Sequence, residues 1–431
     1  MLIAILLISL LIFIAIGLPV AVALAGSSLL YIVIGYATGE VAVPSVVVIH
    51  RMVNGVDSFP LLAVPFFIFA RNLMNTSGIT KRIYDFALAV VGWAKGGLGH
   101  VNVVGSVIFA GMSGTAVADA GGLGTIEIKA MRDHGYDVNF AVGITAGSST
   151  IGPIIPPSLP MVIYGVVGGV SIGQLFAAGV IPGLLMAAFL MGMVYIYAHR
   201  RGWHPDAPFS LVGLWVALKL AWMPLMTPVI ILGGMVFGVF TPTEAAVAAC
   251  VWALFLGLIV YRSLSWRQLL RVSMDTIETT AVVLLIVAGA SIFGWILATT
   301  RVTEAFAESL LSLSRDPIVI LLLINLLLLI VGCFLETIAA ITILTPVLLP
   351  VAVAVGVDPV QFGLIMILNL MIGLLTPPVG MVLYVLARVA DISFEQCVRA
   401  CIPFIVPLLL VLLLITFVPV VTLWLPELIF R

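Results

Sequence analysis

The chain has 431 residues, of which 63% are hydrophobic and only 9% charged, and its formal net charge is −1. Soluble domains carry about 25% charged residues, so this composition excludes a soluble globular protein and predicts a chain embedded in lipid. The near-zero net charge also argues against nucleic acid or an anionic membrane surface as a partner.

The amino-terminal stretch is apolar and contains no Lys or Arg before Arg51. A secretory signal peptide would begin with basic residues and have a shorter apolar core. We therefore expect Leu2–Ile34 to be a retained first transmembrane helix. Its uncharged start favours an N-terminus on the side of the membrane opposite the cytoplasm.

Further apolar runs follow along most of the chain. Because a bilayer core requires about 20 apolar residues per helix, they predict roughly eleven or twelve spanning or re-entrant segments. The clearest are Val138–Val167, Leu175–Tyr197, Pro242–Tyr261, Thr280–Leu297, Val360–Val389 and Ile402–Leu425. Between them, the basic stretch from Arg262 to Arg271 predicts a short amphipathic helix at the membrane interface.

Two regions, 99–130 and 317–350, do not have the pattern of simple spanning helices. The first has a centre rich in Gly, Ser and Thr at 111–122, and the second is interrupted at 332–337. Each is about as long as two half-membrane helices, and non-helical backbone at membrane depth must line a cavity or be buried in protein. We predict two re-entrant helical hairpins.

The hairpins belong to an internal repeat. Pro156-Pro157 recurs as Pro377-Pro378, an offset of 377 − 156 = 221 residues. The same offset relates three further pairs: Gly111 and Gly332, Asp137 and Asp358, and Gly152 and Gly373. The chain therefore divides into halves of about 1–205 and 206–431, each with a hairpin followed by a helix broken at Pro-Pro. Interrupted segments at corresponding positions of two halves predict a transporter binding site near the membrane midplane.

Charge asymmetry predicts the orientation of the halves. Lys129, Arg132 and His134 follow the first hairpin, whereas residues 350–359 after the second contain no Lys or Arg. By the positive-inside tendency, the first hairpin enters from the cytoplasm and the second from outside, which makes the repeat inverted. A parallel repeat is the alternative.

The broken helices also predict ion chemistry. Proline removes a backbone donor and leaves carbonyls without partners, here around 152–156 and 373–377. Together with the hydroxyls of Ser113 and Thr376, these carbonyls would form an oxygen cage suited to Na⁺, while helix N-termini attract an anion. The alternative is a pair of helix kinks whose hydroxyls bind their own backbone.

Five motifs in these regions resemble the large membrane subunit of tripartite ATP-independent periplasmic (TRAP) transporters. They are residues 60–69, 113–119, 145–157, 241–246 and 373–380, and the resemblance extends over about residues 1–425. It implies an all-α polytopic fold with a scaffold and an elevator-type transport domain. It also implies sodium-driven uptake of a small organic anion across the bacterial inner membrane, with no cofactor beyond the coupling ion. The implied partners are a periplasmic substrate-binding protein and a small four-helix membrane subunit, expected as a separate chain.

The resemblance also implies site residues. The first sodium site would comprise Ser113, Ala116, Gly152, Ile155 and Pro156. The second would comprise Gly332, Phe334, Gly373, Thr376 and Val379. Candidates for substrate binding near the hairpin tips are Thr115, Asp119, Pro157, Thr337 and Pro377.

The charged residues near these motifs have competing interpretations. Asp119, just past the first tip, is either a substrate or proton-linked group or a helix cap, because an unpaired acid at this depth is costly. Glu336 has the same alternatives, with capping or pairing favoured. Thr241-Pro242-Thr243-Glu244 predicts a capped helix start. Arg71 is expected to reach the interface or the small subunit rather than substrate.

Other functional classes fit the sequence less well. A channel would usually form its filter by oligomeric symmetry, and an intramembrane enzyme would need a catalytic constellation, whereas all five His residues lie at predicted segment ends. The nearest rival is a stand-alone sodium- or proton-coupled dicarboxylate carrier that needs no binding protein. The sequence does not name the organic acid, and it leaves open the sodium stoichiometry and the oligomeric state.

Overall fold

The computed structural model of the chain describes residues 2–40, 46–313 and 316–430, with the backbone alone at 111–113, 306–307, 309–311 and 313. Within these residues the regular structure is helical, apart from one isolated β-bridge between Lys95 and Pro205. The all-α expectation is therefore confirmed for the part of the chain that is described.

The helices of the first half run from the N-terminus to Arg201. They are α1 Leu2–Ala15, α2 Val20–Ala37, α3 Val46–Val56, α4 Ala63–Thr76, α5 Ile79–Val91, α6 Gly97–Ser113, α7 Ala116–Gly121, α8 Leu123–Asp133, α9 Val138–Ser149, α10 Leu159–Gly168 and α11 Ile172–Arg201. A 3₁₀ turn, Phe59–Leu62, precedes α4, and the chain bends by 63° between α3 and this turn with α4.

The second half begins after the polar loop that follows Arg201. Its helices are α12 Leu211–Val236, α13 Pro242–Phe255, α14 Trp266–Thr299, α15 Val302–Leu313, α16 Pro317–Gly332, α17 Thr337–Ala354, α18 Pro359–Gly373, α19 Met381–Ala390, α20 Phe394–Phe417 and α21 Val420–Ile429. A π-helical turn, Leu256–Val260, extends α13.

Membrane-spanning capacity follows from length and composition. Seven helices of the described chain are long and apolar enough to cross a bilayer, or eight if the bent pair of α3 and α4 forms one span. Several shorter apolar helices, among them α10, α16, α18 and α19, come from the segments in which the sequence predicted hairpins and broken helices. The chain is a multi-pass membrane protein.

The first predicted helix is wrong in its extent, because Leu2–Ile34 forms two helices. The break comes at Gly17, whose φ of +86° ends α1, and at Pro19, which precedes α2. Glycine adopts this left-handed conformation without steric cost, and proline is disfavoured inside a helix. Helices α1 and α2 then pack against each other.

The separate interfacial helix predicted for residues 262–271 is also wrong. Ser265 and Gln268 form a capping box that starts α14, and the helix continues without interruption to Thr299. No proline occurs between Trp266 and Thr299, so the polar start and the apolar remainder stay on one axis.

Two predicted caps are confirmed. Thr241 and Glu244 form a capping box at the start of α13. The side chain of Glu336 accepts hydrogen bonds from the backbone N–H groups of Ile338 and Ala339 at the start of α17, at 2.9 and 3.2 Å. Both acids stabilise helix N-termini, where the orphan amides need acceptors.

Most helix contacts fall into two packing groups, which share one hydrophobic core and are joined by the contact of α14 with α17. Helix α4 packs against α13 and α14, and α14 also contacts α2, α3 and α17. In the other group, α20 contacts α9, α11 and α18, while α9 lies against α6 and α8, and α18 against α16 and α17. The two halves also contact each other within this group, since α10 packs on α17 and α19 packs on α7. Each Pro-Pro break lies against the tip of the helix pair that precedes it.

Candidate functional site

The second tip is a close contact between two glycines. A Cβ atom added to Gly373, at the end of α18, would lie 2.4 Å from the carbonyl carbon of Gly332, at the end of α16. Only glycine permits this approach of one backbone to the other. The carbonyl oxygen of Cys333 then accepts from the backbone N–H groups of Val379 and Gly380, both at 3.3 Å.

Thr376 brings a hydroxyl to this contact. Its Oγ1 donates to the carbonyl oxygen of Gly373 at 2.9 Å and lies 2.9 Å from Sγ of Cys333. The predicted residues Gly332, Gly373, Thr376 and Val379 therefore meet at one tip. Phe334 follows Cys333 with its ring 55% exposed, so it would contribute its backbone rather than its side chain.

The first tip is built on the same plan but is more deeply buried. Gly114 joins α6 to α7 with a φ of +60°, and a Cβ there would lie 3.4 Å from the carbonyl oxygen of Pro157. Ser158 donates from Oγ to the carbonyl oxygen of Pro153 at 2.5 Å. Pro156 and Pro157 are buried, whereas Pro377 and Pro378 of the second break are exposed. In both breaks the Pro-Pro bond is cis.

The first set of predicted sodium residues lies around this tip. Ala116 is buried at the start of α7, and Gly152 and Pro156 are buried in the break. Ile155 packs against α11, where a Cβ on Gly183 would lie 2.2 Å from its Cγ1 atom. The hydroxyl of Ser113 lies outside the described side chains.

A small pocket of about 20 Å³ adjoins the first tip. Its lining includes Gly114, Thr115 and Pro157 from the tip and Phe67 and Arg71 from α4. Nη1 of Arg71 donates to Oγ1 of Thr115 at 3.2 Å. The pocket therefore places a guanidinium against a hairpin tip, where a carboxylate would find both charge and hydrogen-bond donors.

Two of the five substrate candidates, Thr115 and Pro157, line this pocket. Thr337 is buried at the start of α17, and Pro377 is exposed at the second break. Two larger cavities, of about 390 and 400 Å³, have no charged residue in their lining. The pocket at Arg71 is therefore better suited to an anion than either of them.

Asp119 lies one turn beyond Thr115 and is 1% exposed. It is not a helix cap, because Thr115 occupies the N-cap position of α7 and neither oxygen of Asp119 has a hydrogen-bond partner among the described side chains. The hydroxyl of Ser106 lies near this carboxyl group, but the two do not meet hydrogen-bond geometry. The capping alternative for Asp119 is wrong.

A buried polar network extends from this region between α6, α8 and α9. Nδ2 of Asn102 donates to Oε2 of Glu127 at 2.6 Å and to Oγ1 of Thr145 at 2.8 Å. Oγ of Ser148 donates to Oδ1 of Asn102, also at 2.6 Å. Glu127 is 2% exposed, and its Oε1 atom has no partner.

Sequence reasoning assigned Arg71 to the interface or the small subunit, whereas its guanidinium lies at the first tip, and it missed the polar network. A signal for Arg71 was present, since it is a cation directly after the apolar motif 60–69. The network had no comparable signal, because Asn102 meets partners 25, 43 and 46 residues away that only the folded chain brings together.

Comparison with known proteins agrees with this geometry. Residues 7–421 match the family described as tripartite ATP-independent periplasmic transporter, DctM component. The chain is 50% identical over 412 residues to the sialic acid TRAP transporter large permease protein SiaM of Vibrio cholerae, covering 96% of this chain and 95% of that one. It is 42% identical over 379 residues to the sialic acid TRAP transporter permease protein SiaT of Haemophilus influenzae, covering 88% of this chain and 62% of that protein's length.

The fold is also similar to a solved structure, the Alcanivorax borkumensis YdaH transporter. The TM-score is 0.62, the sequence identity 15%, and the match covers 85% of this chain and 86% of that one.

The helical membrane fold and the family match together define a polytopic membrane transport protein rather than an enzyme. The chain belongs to the DctM family of TRAP transporter large permeases. It is a multi-pass protein of the bacterial inner membrane.

Proposed function

We propose that this permease takes up a small organic anion by sodium symport, receiving it from a periplasmic binding protein and working with a small membrane subunit. The observation that carries the proposal is the guanidinium of Arg71 at the first tip, within hydrogen-bond distance of Thr115. A guanidinium has five N–H donors in a planar fork, of which Thr115 accepts one. A carboxylate in the pocket would accept two of the others in parallel.

The charge of Arg71 supports the same proposal. Among the described residues, ion pairs form between Arg201 and Asp137 and between Arg301 and Glu304, both away from the pocket. Asp119 is near enough to interact with Arg71 electrostatically but does not form an ion pair with it. A cation in this setting favours an anionic ligand.

The coupling ions are assigned to the two tips. We place one Na⁺ near Ser113, Ala116, Gly152, Ile155 and Pro156, and a second near Gly332, Phe334, Gly373, Thr376 and Val379. The glycine contact and the Thr376 hydroxyl support the second site, since they bring carbonyl and hydroxyl oxygens together at a helix break. The two packing groups support an elevator mechanism in which the hairpins move with α9, α11, α18 and α20 against a scaffold around α4, α13 and α14.

Sialic acid is the substrate to test first, because the relative from Vibrio cholerae is named a sialic acid transporter and is 50% identical over nearly the whole chain. The experiment reconstitutes the chain with its small subunit in liposomes and adds the binding protein loaded with sialic acid. We expect uptake that requires an inward sodium gradient and the binding protein. Uptake without the binding protein would favour the stand-alone carrier.

Arg71→Gln tests the pocket in the same assay. Removing one partner of a buried charged hydrogen bond costs about 2 kcal/mol or more, so uptake at low substrate concentration should fall at least about thirtyfold. The matched control is Arg82→Gln, which removes a guanidinium stacked 3.7 Å over the ring of Tyr261, outside the pocket lining. Equal uptake by the Arg71 and Arg82 variants would contradict the proposed anion site.

Sodium binding has its own test, which needs no substrate. A ligand present at 100 times its dissociation constant stabilises the folded state by about 2.7 kcal/mol. We expect NaCl to raise the melting temperature above that in KCl or choline chloride at equal ionic strength, and Thr376→Ala to reduce the rise. Thr279→Ala is the control, because that hydroxyl bonds only its own helix, at Asp275. No difference between the salts would move the coupling to protons.

A further inference from the structure

The interior of the first hairpin contains two buried acids, apart from the pocket and the tips. Glu127 and Asp119 are 2% and 1% exposed, and three of their four carboxyl oxygens have no hydrogen-bond partner among the described side chains. No ion pair that the described residues form includes either acid. Two buried acids that form no ion pair with the described residues therefore lie in the first hairpin.

The two acids differ in the charges that surround them. Arg71 of α4 interacts electrostatically with Asp119. Glu127 has Tyr84 of α5 as a neighbour, and a phenol supplies no positive charge at neutral pH. Helix α6 contributes one titratable residue, the buried His100, and α9 contributes none. The charged residues of α8 and α19 other than Glu127 are exposed, namely Lys129, Arg132, Asp133 and Arg388.

The immediate surroundings of Glu127 do not suit a metal cation. Its Oε2 atom already accepts the amide of Asn102, whose hydrogens carry positive charge. A Cβ on Gly105 would lie 3.0 Å from Oε1, so that side of the carboxyl group is packed against helix backbone. The hydroxyls of Ser148 and Thr145 are bound to Asn102. A hard cation would need several free oxygen atoms, which this arrangement does not offer.

A buried carboxylate without a positive partner costs so much free energy that it normally takes up a proton instead. A second carboxylate nearby adds repulsion in the same direction. We propose that Glu127 is a proton-binding site of the first hairpin, holding a proton on its unpartnered side while Asn102 fixes the other oxygen. The proton is buried with the hairpin and would move with it.

A proton on Glu127 makes the stability of the folded chain depend on pH. The folded chain holds a proton that the unfolded chain gives up above about pH 4.3, the ordinary value for Glu. Stability contributed by this group therefore falls as the pH rises, until the folded chain loses the proton as well.

Infrared spectroscopy of the purified chain in detergent tests the proposal without sodium or substrate, so its outcome is independent of the proposed function. At pH 7 in choline chloride we expect the carbonyl stretch of a protonated, buried carboxyl group. The band should lose intensity in Glu127→Gln, which removes one of the two unpartnered acids, and keep its intensity in Glu244→Gln, the matched control at the exposed capping box of α13. Absence of the band in the folded wild-type chain overturns the proposal, whether or not the variants fold.

Thermal unfolding between pH 5 and 9 provides the second measurement. The wild-type chain should lose stability towards alkaline pH, and Glu127→Gln should flatten that slope, whereas replacement of the exposed acid in Glu244→Gln should not. The proposal fails if Glu127→Gln keeps both the full intensity of the band and the alkaline slope. A sodium-independent chain that shows the band would overturn sodium symport and leave the proton site supported.

Discussion

In the first hairpin Asn102 of α6 is bound by Ser148 of α9, and in the second Asn369 of α18 donates to Asn325 of α16 at 2.8 Å. Ser148 and Asn369 are 221 residues apart and so occupy equivalent positions of the proposed repeat. Apart from these similar hydrogen bonds, the two halves differ. Asn102 also donates to the acid Glu127, whereas Asn325 donates to the hydroxyl of Thr416 on α20.

The divergence extends to the acids themselves. The positions 221 residues beyond Asp119 and Glu127 are Ala340 and Leu348, both buried. The second hairpin thus packs with apolar residues where the first buries two carboxyl groups. Because the same kind of tie forms without them, the acids of the first hairpin are better explained by function than by packing.

The largest expected effect concerns the tip of the second hairpin. Gly373→Ala would place a methyl group against the backbone of Gly332, which no rotamer can avoid. We expect the free energy of unfolding to fall by about 3 kcal/mol. We also expect the variant to lose the sodium-specific rise in melting temperature. Gly192→Ala is the control, because its added Cβ meets nothing within 4 Å. Equal melting temperatures for both variants would show that the glycine contact is dispensable.

Intermediate losses of stability are expected when the hydrogen bonds of Asn102 and Asn325 are removed. Asn102→Ala removes the donor to Glu127 and leaves a buried acid without any partner, so we expect a loss of about 3 kcal/mol or less. Asn325→Ala leaves neutral groups unpaired and should cost about 1 kcal/mol. Thermal unfolding of the two variants at the same pH measures the difference. If Asn325→Ala is the more destabilising, the asymmetry between the hairpins is not as we describe it.

The smallest expected effect is at the cap of α17. Glu336→Ala removes the acceptor for two backbone amides and should cost about 1 kcal/mol, the usual value for a helix N-cap. Glu244→Ala at the capping box of α13 should cost a similar amount. A much larger loss for Glu336 in thermal unfolding would indicate that this acid does more than cap the helix, and the second hairpin would then resemble the first.

Sequence reasoning succeeded where local chemistry decides the structure. Apolar runs predicted the helices, and the Thr241-Pro242-Thr243-Glu244 motif predicted a helix start, because caps and apolar periodicity act within one turn or one segment. It failed for Leu2–Ile34, because the apolar length of this segment predicts one helix although Gly17 and Pro19 break it. It failed again for residues 262–271, because their polar character predicts a separate helix although no residue after them ends α14.

The site was predicted less completely, for a physical reason. Backbone positions such as Gly332 and Gly373 could be proposed from motifs, and the folded chain brings them into contact. Arg71 was assigned to the interface because a cation in an apolar run usually extends towards water. Its contact with Thr115 joins helices 44 residues apart, and Asn102 meets Glu127 across 25 residues. Contacts of this kind depend on tertiary packing, which no local pattern encodes.

The uninterrupted helix α14 has a consequence for how the protein is held in its surroundings. Its 34 residues make a rod about 51 Å long, against about 30 Å of hydrocarbon. The first fourteen residues, from Trp266 to Thr279, hold its charged side chains, and they account for about 21 Å of that length. The remaining apolar stretch matches the thickness of the bilayer. Helix α14 thus constrains how deeply the protein sits in the membrane, because its apolar stretch spans the hydrocarbon and its charged first turns lie beyond it.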